Sequence, residues 1–177
     1  MCAVISLSIL VGQSSTSIAA NSFSIPGQGV EVLTGDSWLQ SRYVVRLYGV
    51  QSCLRGKQYT DRAGSKQDCG AVSAAFLAAL VRDTNPVCRS VGSLAPSATL
   101  QTATVLAICT VRLGGQSLDL GAMMIAQGFA FAALANNGKP VYMPYLIQES
   151  IAQQSAAGLW AFSDVPHPSR DLLAIQE

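Results

Sequence analysis

The sequence predicts an α+β fold, a small β-barrel with about three helices packed on it, and three observations lead there. Strand-like segments come first, one helix interrupts them, and two helices follow. Half of the 177 residues are apolar and only 12% are charged, which gives one packed core and excludes a charge-solvated, disordered chain. No internal repeat or change of composition marks a second domain.

Charge narrows the function classes. Eleven Lys and Arg are nearly cancelled by ten Asp and Glu, for a net charge of +1. No large basic field therefore advertises nucleic acid or an anionic membrane, and nucleic acid is not an expected partner.

Residues 1–20 read as an export leader. An apolar run over residues 3–12 is too short to span a bilayer, and Ser17-Ile18-Ala19 places small residues at the −3 and −1 positions of a cleavage site. Cleavage after Ala19, or one residue later, would free a chain starting near Asn21. No Lys or Arg precedes Arg42, so the positive region that normally opens a leader is missing. The alternative is a buried N-terminal strand.

Residues 21–29 form a polar lead-in. Residues 30–33 and 37–40 flank the turn-former Gly35-Asp36 and predict a hairpin; residues 42–50, rich in β-branched and aromatic types, predict a third strand. Residues 51–68, polar and holding much of the charge, read as an exposed loop. A helix follows over residues 70–82, where Val72, Phe76 and Leu80 recur every four residues and Leu77 with Val81 widens the stripe. Residues 87–91 and 104–111 are strand-like, and Gly114-Gly115 makes a tight turn. A second helix over residues 118–127 is closed by Gly128. Pro144 opens a third that runs to Gly158, with Leu159-Trp160 as an anchor and residues 162–177 as a tail.

Cys2 falls in the leader, which leaves Cys53, Cys69, Cys88 and Cys109. No pair has C-x-x-C spacing and His167 is the sole histidine, which argues against structural zinc. Disulfides suit an exported chain, four buried thiols being the alternative, and four cysteines allow three pairings.

Several segments, in order, resemble the staphylococcal-nuclease-like (thermonuclease) family. Thr34-Gly35-Asp36-Ser37 is similar to its D-G-D-[ST] turn, and the run from Arg46 through Gly49, Val50, Gln51 and Cys53 to Leu54 is similar to R-L-x-G-[IV]-D-x-P-E. Cys69-Gly70 with the alanines after it resembles the C-G-x-x-A-A helix of exported bacterial members, and Leu106-Ala107-Ile108-Cys109 their L-A-x-C strand. Gln127-Gly128-Phe129-Ala130 resembles Q-G-x-A, and Ala156-Ala157-Gly158-Leu159-Trp160 the A-x-x-x-G-[LI]-W close. The resemblance covers residues 30–160 and implies a five-stranded OB-fold barrel with about three helices over residues 30–161. It places the strands of Cys88 and Cys109 side by side, so the expected pairing is Cys53–Cys69, bracketing the polar loop, and Cys88–Cys109.

The same resemblance implies where chemistry would reside, and there the residues depart from the pattern. In active members, carboxylates of the first turn and of D-x-P-E hold calcium, the Glu acts as or positions a base, and two arginines clamp the phosphate. Asp36 keeps one metal carboxylate and Arg46 one arginine. The second carboxylate is Gln51, the glutamate is Leu54, and the second arginine falls near Thr104 in an uncharged stretch. Leucine neither accepts a proton nor orients water, and a missing base alone removes about 10²–10⁴-fold in rate. The expected site is therefore catalytically dead and holds no cofactor, with Asp36 and Arg46 as a remnant or as a structural pair that shapes the turn.

Asp119 and Glu149 read as solvated helix residues, Trp38 as a half-buried core aromatic, and His167 as a tail residue without partners nearby in sequence. The expected function is a non-catalytic binding or structural module, exported to the periplasm or beyond, with a protein, peptide or glycan partner. The alternative is a weak calcium-dependent nuclease that draws on Asp61 or Asp68 of the polar loop.

Overall fold

The computed structural model describes residues 22–96 and 102–169; the expected leader and residues 170–177 of the expected tail lie outside them. The strands are, in chain order, β1 (Ser22–Ser24), β2 (Glu31–Thr34), β3 (Ser37–Gln40), β4 (Tyr43–Leu47), β5 (Val50–Gln51), β6 (Gln58–Thr60), β7 (Lys66–Asp68), β8 (Val87–Leu94), β9 (Thr104–Leu113), β10 (Gln116–Asp119) and β11 (Phe131–Ala132). The helices are α1 (Cys69–Thr84), α2 (Leu120–Ala126) and α3 (Met143–Gln154), followed by a 3₁₀ turn at Gly158–Ala161.

The architecture is α+β. One curled, half-barrel sheet runs β1-β8-β9-β4-β3-β2, with β10 pairing β9 as its seventh strand. All its ladders are antiparallel except β4 against β9, where Val44 faces Thr104 and Leu47 faces Ala107. A parallel pair needs a crossover, and here α1 and β8 supply it. The curl brings β1 close to the far side of the sheet, where Gln40 Nε2 donates to Ser24 O at 3.0 Å. Gln40 is itself held by Trp38 Nε1, which donates to its Oε1 at 3.1 Å.

Seven strands, not five, make this sheet, and the lead-in explains part of the difference. Its Ser22–Ser24 stretch pairs with β8, and Ile25 just after it is 1% exposed. The polar stretch before α1 is not all loop either, since β6 and β7 form a small hairpin within it. Period-two patterning was hard to read there because Gln58, Lys66 and their neighbours leave one face in water.

Inside the curl, Trp38, Val45, Leu47, Ala107, Cys109 and Val111 pack against Leu77 and Val81 of α1 and against Leu120, Met124 and Ile125 of α2. The deepest face of α1 is Gly70, Ser73, Ala74, Leu77 and Val81; Val72, Phe76 and Leu80 flank it as partly buried neighbours. The centre of the stripe is thus rotated from Val72, Phe76 and Leu80 toward the smaller residues. Trp38 is fully buried rather than half-buried. Asp68 starts α1 by accepting from Ala71 N at 2.9 Å, an N-cap, and Asp119 starts α2 in the same way through Ala122 N at 2.8 Å. That is why α2 begins two residues later than its apolar pattern suggests.

Two disulfides join Cys53 to Cys69 and Cys88 to Cys109. Cys88 and Cys109 are direct cross-strand partners in β8 and β9. Cys53 and Cys69 tie the segment after β5 to the first residue of α1, with Tyr59, Phe131 and Leu159 forming a second apolar cluster around them. Among the described residues, no helix is long and apolar enough to cross a membrane.

Candidate functional site

Asp36, Arg46, Gln51, Leu54 and Thr104 line one cavity of about 400 Å³ at the rim of the curled sheet. Asp36 closes the β2–β3 hairpin and is 3% exposed. Arg46 lies on β4 opposite Ser37 of β3, Thr104 lies on β9 opposite Val44, and Gln51 ends β5. Two close backbone approaches set the wall of the cavity. A Cβ on Gly35 would run into Ser73 of α1, so only glycine lets the Asp36 turn press onto that helix. A Cβ on Gly70 would lie 2.6 Å from Arg55 N, so glycine at the start of α1 also lets the chain at Leu54 and Arg55 cross the helix end.

The polar groups of this cavity satisfy one another. Asp36 Oδ2 accepts from Arg46 Nε at 2.9 Å, while its Oδ1 accepts from Ser52 Oγ at 3.0 Å and from Thr34 Oγ1 at 2.5 Å. Arg46 Nη2 donates to Gln51 Oε1 at 2.7 Å, and Gln51 Nε2 donates to Ser52 O at 3.2 Å. The Arg46 side chain keeps 38% of its surface exposed, against 4% for Asp36, so the guanidinium is the reachable half of the pair.

A calcium ion does not fit this donor set. It takes about six to eight oxygens, several from carboxylates, and the cavity lining supplies a single carboxylate whose two oxygens already accept from protein donors. Among the described residues, no group of three or more His, Cys, Asp and Glu is placed to hold a metal ion.

No model of a known protein family matches the chain, and neither does any curated protein.

The geometry of the cavity adds residues the sequence did not single out. Arg55, exposed and next to Leu54, lines the cavity and brings a second guanidinium to it, with Nη2 within 3.4 Å of Leu33 O. Ser52 proves to be a direct partner of Asp36. Both flank the segment pinned by Cys53, and that adjacency was the only signal available.

Asp61 and Asp68 are not among the lining residues. Asp61 organises the β6–β7 turn by accepting from Ala63 N and Ser65 N, and these bonds, that of Ser65 foremost, hold its carboxyl below the usual range. Asp68 is occupied as the cap of α1 and also accepts from Gly56 N; the Ala71 N–H is the main cause of its lowered pKa.

Two further expectations are corrected. Asp119 is not a solvated helix residue: besides capping α2 it accepts from the Tyr145 hydroxyl at 2.7 Å. Glu149 is 7% exposed, its Oε2 accepting from Ala132 N at 2.6 Å and its Oε1 lying 2.8 Å from His167 Nε2. His167, without partners nearby in sequence, meets this one through tertiary folding. Glu149 lies at a position that looks polar in the helical pattern, and the chain that folds back over α3 through His167 covers it; Asp119 is met by Tyr145 of α3 itself.

Proposed function

We propose that the chain is an exported, non-catalytic binding module of the staphylococcal-nuclease-like type, whose degenerate cavity presents guanidinium groups to a protein, peptide or glycan partner. The curled sheet, with α1 in the crossover between β4 and β9, is compatible with an OB-like barrel. Two disulfides and the lack of a membrane-crossing helix among the described residues are compatible with export.

The observation that carries the reading is the closed hydrogen-bond network of Asp36. Hydrolysis of a phosphodiester needs an oriented water and stabilisation of charge as it develops. Asp36 spends both oxygens on Arg46, Ser52 and Thr34, and the neighbouring wall is Leu54, which offers no base. What the cavity turns outward is Arg46 and Arg55, suited to an acceptor group on a partner rather than to turnover.

The test is turnover of the oxidised protein on single-stranded DNA and on RNA over a calcium titration, beside a pull-down from the native envelope with Arg46→Ala and Arg55→Ala as comparisons. No cleavage, with a partner captured by wild type and lost in the variants, is the expected result. Calcium-dependent cleavage that disappears in Asp36→Ala would establish a weak nuclease instead.

A further inference from the structure

The two disulfides are equally buried but differently enclosed. Cys88 and Cys109 are each 1% exposed and belong to the main cluster inside the curl, packed among residues of the sheet, α1 and α2. Cys53 and Cys69, 1% and 0% exposed, belong to the second cluster, where Trp160, Phe162 and Val165 pack as partly buried neighbours. Those three residues come from the segment that starts in the 3₁₀ turn and runs to residue 169. Within the same segment, Pro166 O lies 3.6 Å from Cys53 Sγ.

This cover is thinly held. Leu159 N donates to Gly128 O and anchors its base. Beyond that point, the backbone hydrogen bonds it makes among the described residues are local: Trp160 N to Ala157 O, Phe162 N to Leu159 O and Val165 N to Phe162 O. Side chains fasten the rest. Asp164 accepts from Thr60 N at 3.0 Å and from the Thr60 hydroxyl at 2.7 Å, both in exposed positions, and His167 meets Glu149 at 2.8 Å. Thr60 lies inside the loop that the Cys53–Cys69 bridge closes, so the cover rests on that loop as well as on α3. A segment with so few ties to the body opens at a lower free energy than the whole domain.

We propose that residues 160–169 are a lid that gates reduction of the Cys53–Cys69 disulfide by a dithiol, and that reduction there loosens the Leu54–Arg55 wall of the Asp36 cavity. With the lid open, a thiolate of the dithiol attacks Cys53 Sγ, the sulfur beside Pro166 O. The S–S bond breaks, Cys69 leaves as a thiolate that takes a proton from solvent, and a mixed disulfide remains on Cys53. The second thiolate of the dithiol then displaces Cys53 in the same way. Two electrons pass to the protein, and the dithiol ends as a cyclic disulfide. Leu54 and Arg55 follow Cys53 directly and press on Gly70, which follows Cys69, so the lost bridge is the covalent clasp beside that contact. Both residues line the cavity.

Oxidised full-length protein is treated with dithiothreitol at urea concentrations below the unfolding transition; free thiols are trapped by alkylation and each bridge is followed by peptide mapping. Without urea, Cys53–Cys69 should be reduced at least about tenfold faster than Cys88–Cys109. Its rate should also depend less steeply on urea, because local opening exposes little surface. His167→Ala should speed its reduction by about tenfold, the equivalent of one lost hydrogen bond. Asp164→Asn, at an exposed position, repeats that test should His167→Ala fail to fold. Val111→Ala, in the main core, should speed reduction of Cys88–Cys109 and leave that of Cys53–Cys69 unchanged. In protein reduced at Cys53–Cys69 alone, hydrogen exchange over residues 52–57 should be faster than in the oxidised form. The proposal is overturned if both bridges are reduced in parallel with one urea dependence, or if Val111→Ala speeds both alike. It is equally overturned if neither lid variant speeds reduction of Cys53–Cys69, or if exchange over residues 52–57 stays as it was.

Discussion

Glu149 and His167, 18 residues apart in sequence, meet at 2.8 Å and fasten the chain after the 3₁₀ turn onto α3. The Glu149 side chain is 9% exposed and that of His167 20%, so water competes poorly for the contact. His167 also packs its ring edge-on to Phe131 at 4.8 Å, which ties the same segment to the second apolar cluster.

Replacing His167 by Ala should therefore destabilise the protein by about 1–3 kcal/mol, the range for stranding a buried hydrogen-bonding group. Urea denaturation measures the loss, and hydrogen exchange should show it concentrated in residues 158–169. A change spread evenly over the sheet would mean that the contact does not anchor this segment.

Each disulfide closes a short loop, with sequence separations of 16 and 21. On loop entropy, removing either by a paired Cys→Ser change should lower stability by about 3 kcal/mol. Non-reducing peptide mapping should recover the Cys53–Cys69 and Cys88–Cys109 links; a Cys53–Cys88 link would contradict the fold around β8.

Acid should loosen the anchoring of the C-terminal segment at a second point. Asp164 accepts from Thr60 N and from the Thr60 hydroxyl at 2.7 Å, and these bonds, with Lys66 nearby, pull its carboxyl down to about 2. Because folding lowers this pKa, its contribution is present above the ordinary carboxylate value of about 4 and disappears as pH falls toward 2. Asp68, lowered chiefly by the Ala71 N–H, adds to the same window. Urea midpoints at pH 7, 4 and 2.5 should fall with acid, and Asp164→Asn should flatten part of that fall.

At the alkaline end the relevant group is Tyr145. Burial, and then the Asp119 carboxylate that accepts its hydroxyl, push the phenol above its usual value of 10.0. The native state thus keeps a proton that the unfolded chain releases above about pH 10, so this contribution is complete below that pH and is lost as pH rises beyond it. Tyr145→Phe should cost about 1 kcal/mol at neutral pH, from the lost hydrogen bond, and should lessen the alkaline slope in thermal melts.

Gly70→Ala places a methyl group against the Leu54 and Arg55 backbone. Overpacking of this kind destabilises by about 1–3 kcal/mol. The displaced segment carries Leu54 and Arg55 into the Asp36 cavity, so partner capture should weaken along with stability in the same variant.

The sequence carried the elements well where side chains repeat with a clear period. The α1 stripe, the β4 run and the Pro144 helix start are local properties of consecutive residues, and each falls within a few positions of its observed bounds. It carried less where pairing comes from afar. β1 is three residues of Ser-Phe-Ser with no pattern of their own, and they are a strand because β8 offers a free edge. The cavity around Asp36 was legible in its members, since each stands in a recognisable segment, but not in its wiring: that Ser52 and Thr34 share the Asp36 oxygen depends on how β2, β3 and β5 meet. Glu149 was misread for the same reason, because helical position says which face a residue occupies and not what later chain will cover that face.

The parallel pairing of β4 with β9 has a kinetic side. Val44 and Thr104 face each other across 60 positions of sequence, with α1 and β8 between them. Contacts so distant along the chain are slow to form, because loop-closure entropy is spent before they reward it. The β8–β9 hairpin, by contrast, is local and carries its own Cys88–Cys109 clasp. Refolding from the oxidised state should then start with β8 and β9 already tethered in register, with β4 docking onto β9 as the late, rate-limiting event, whereas the reduced chain must find both pairings.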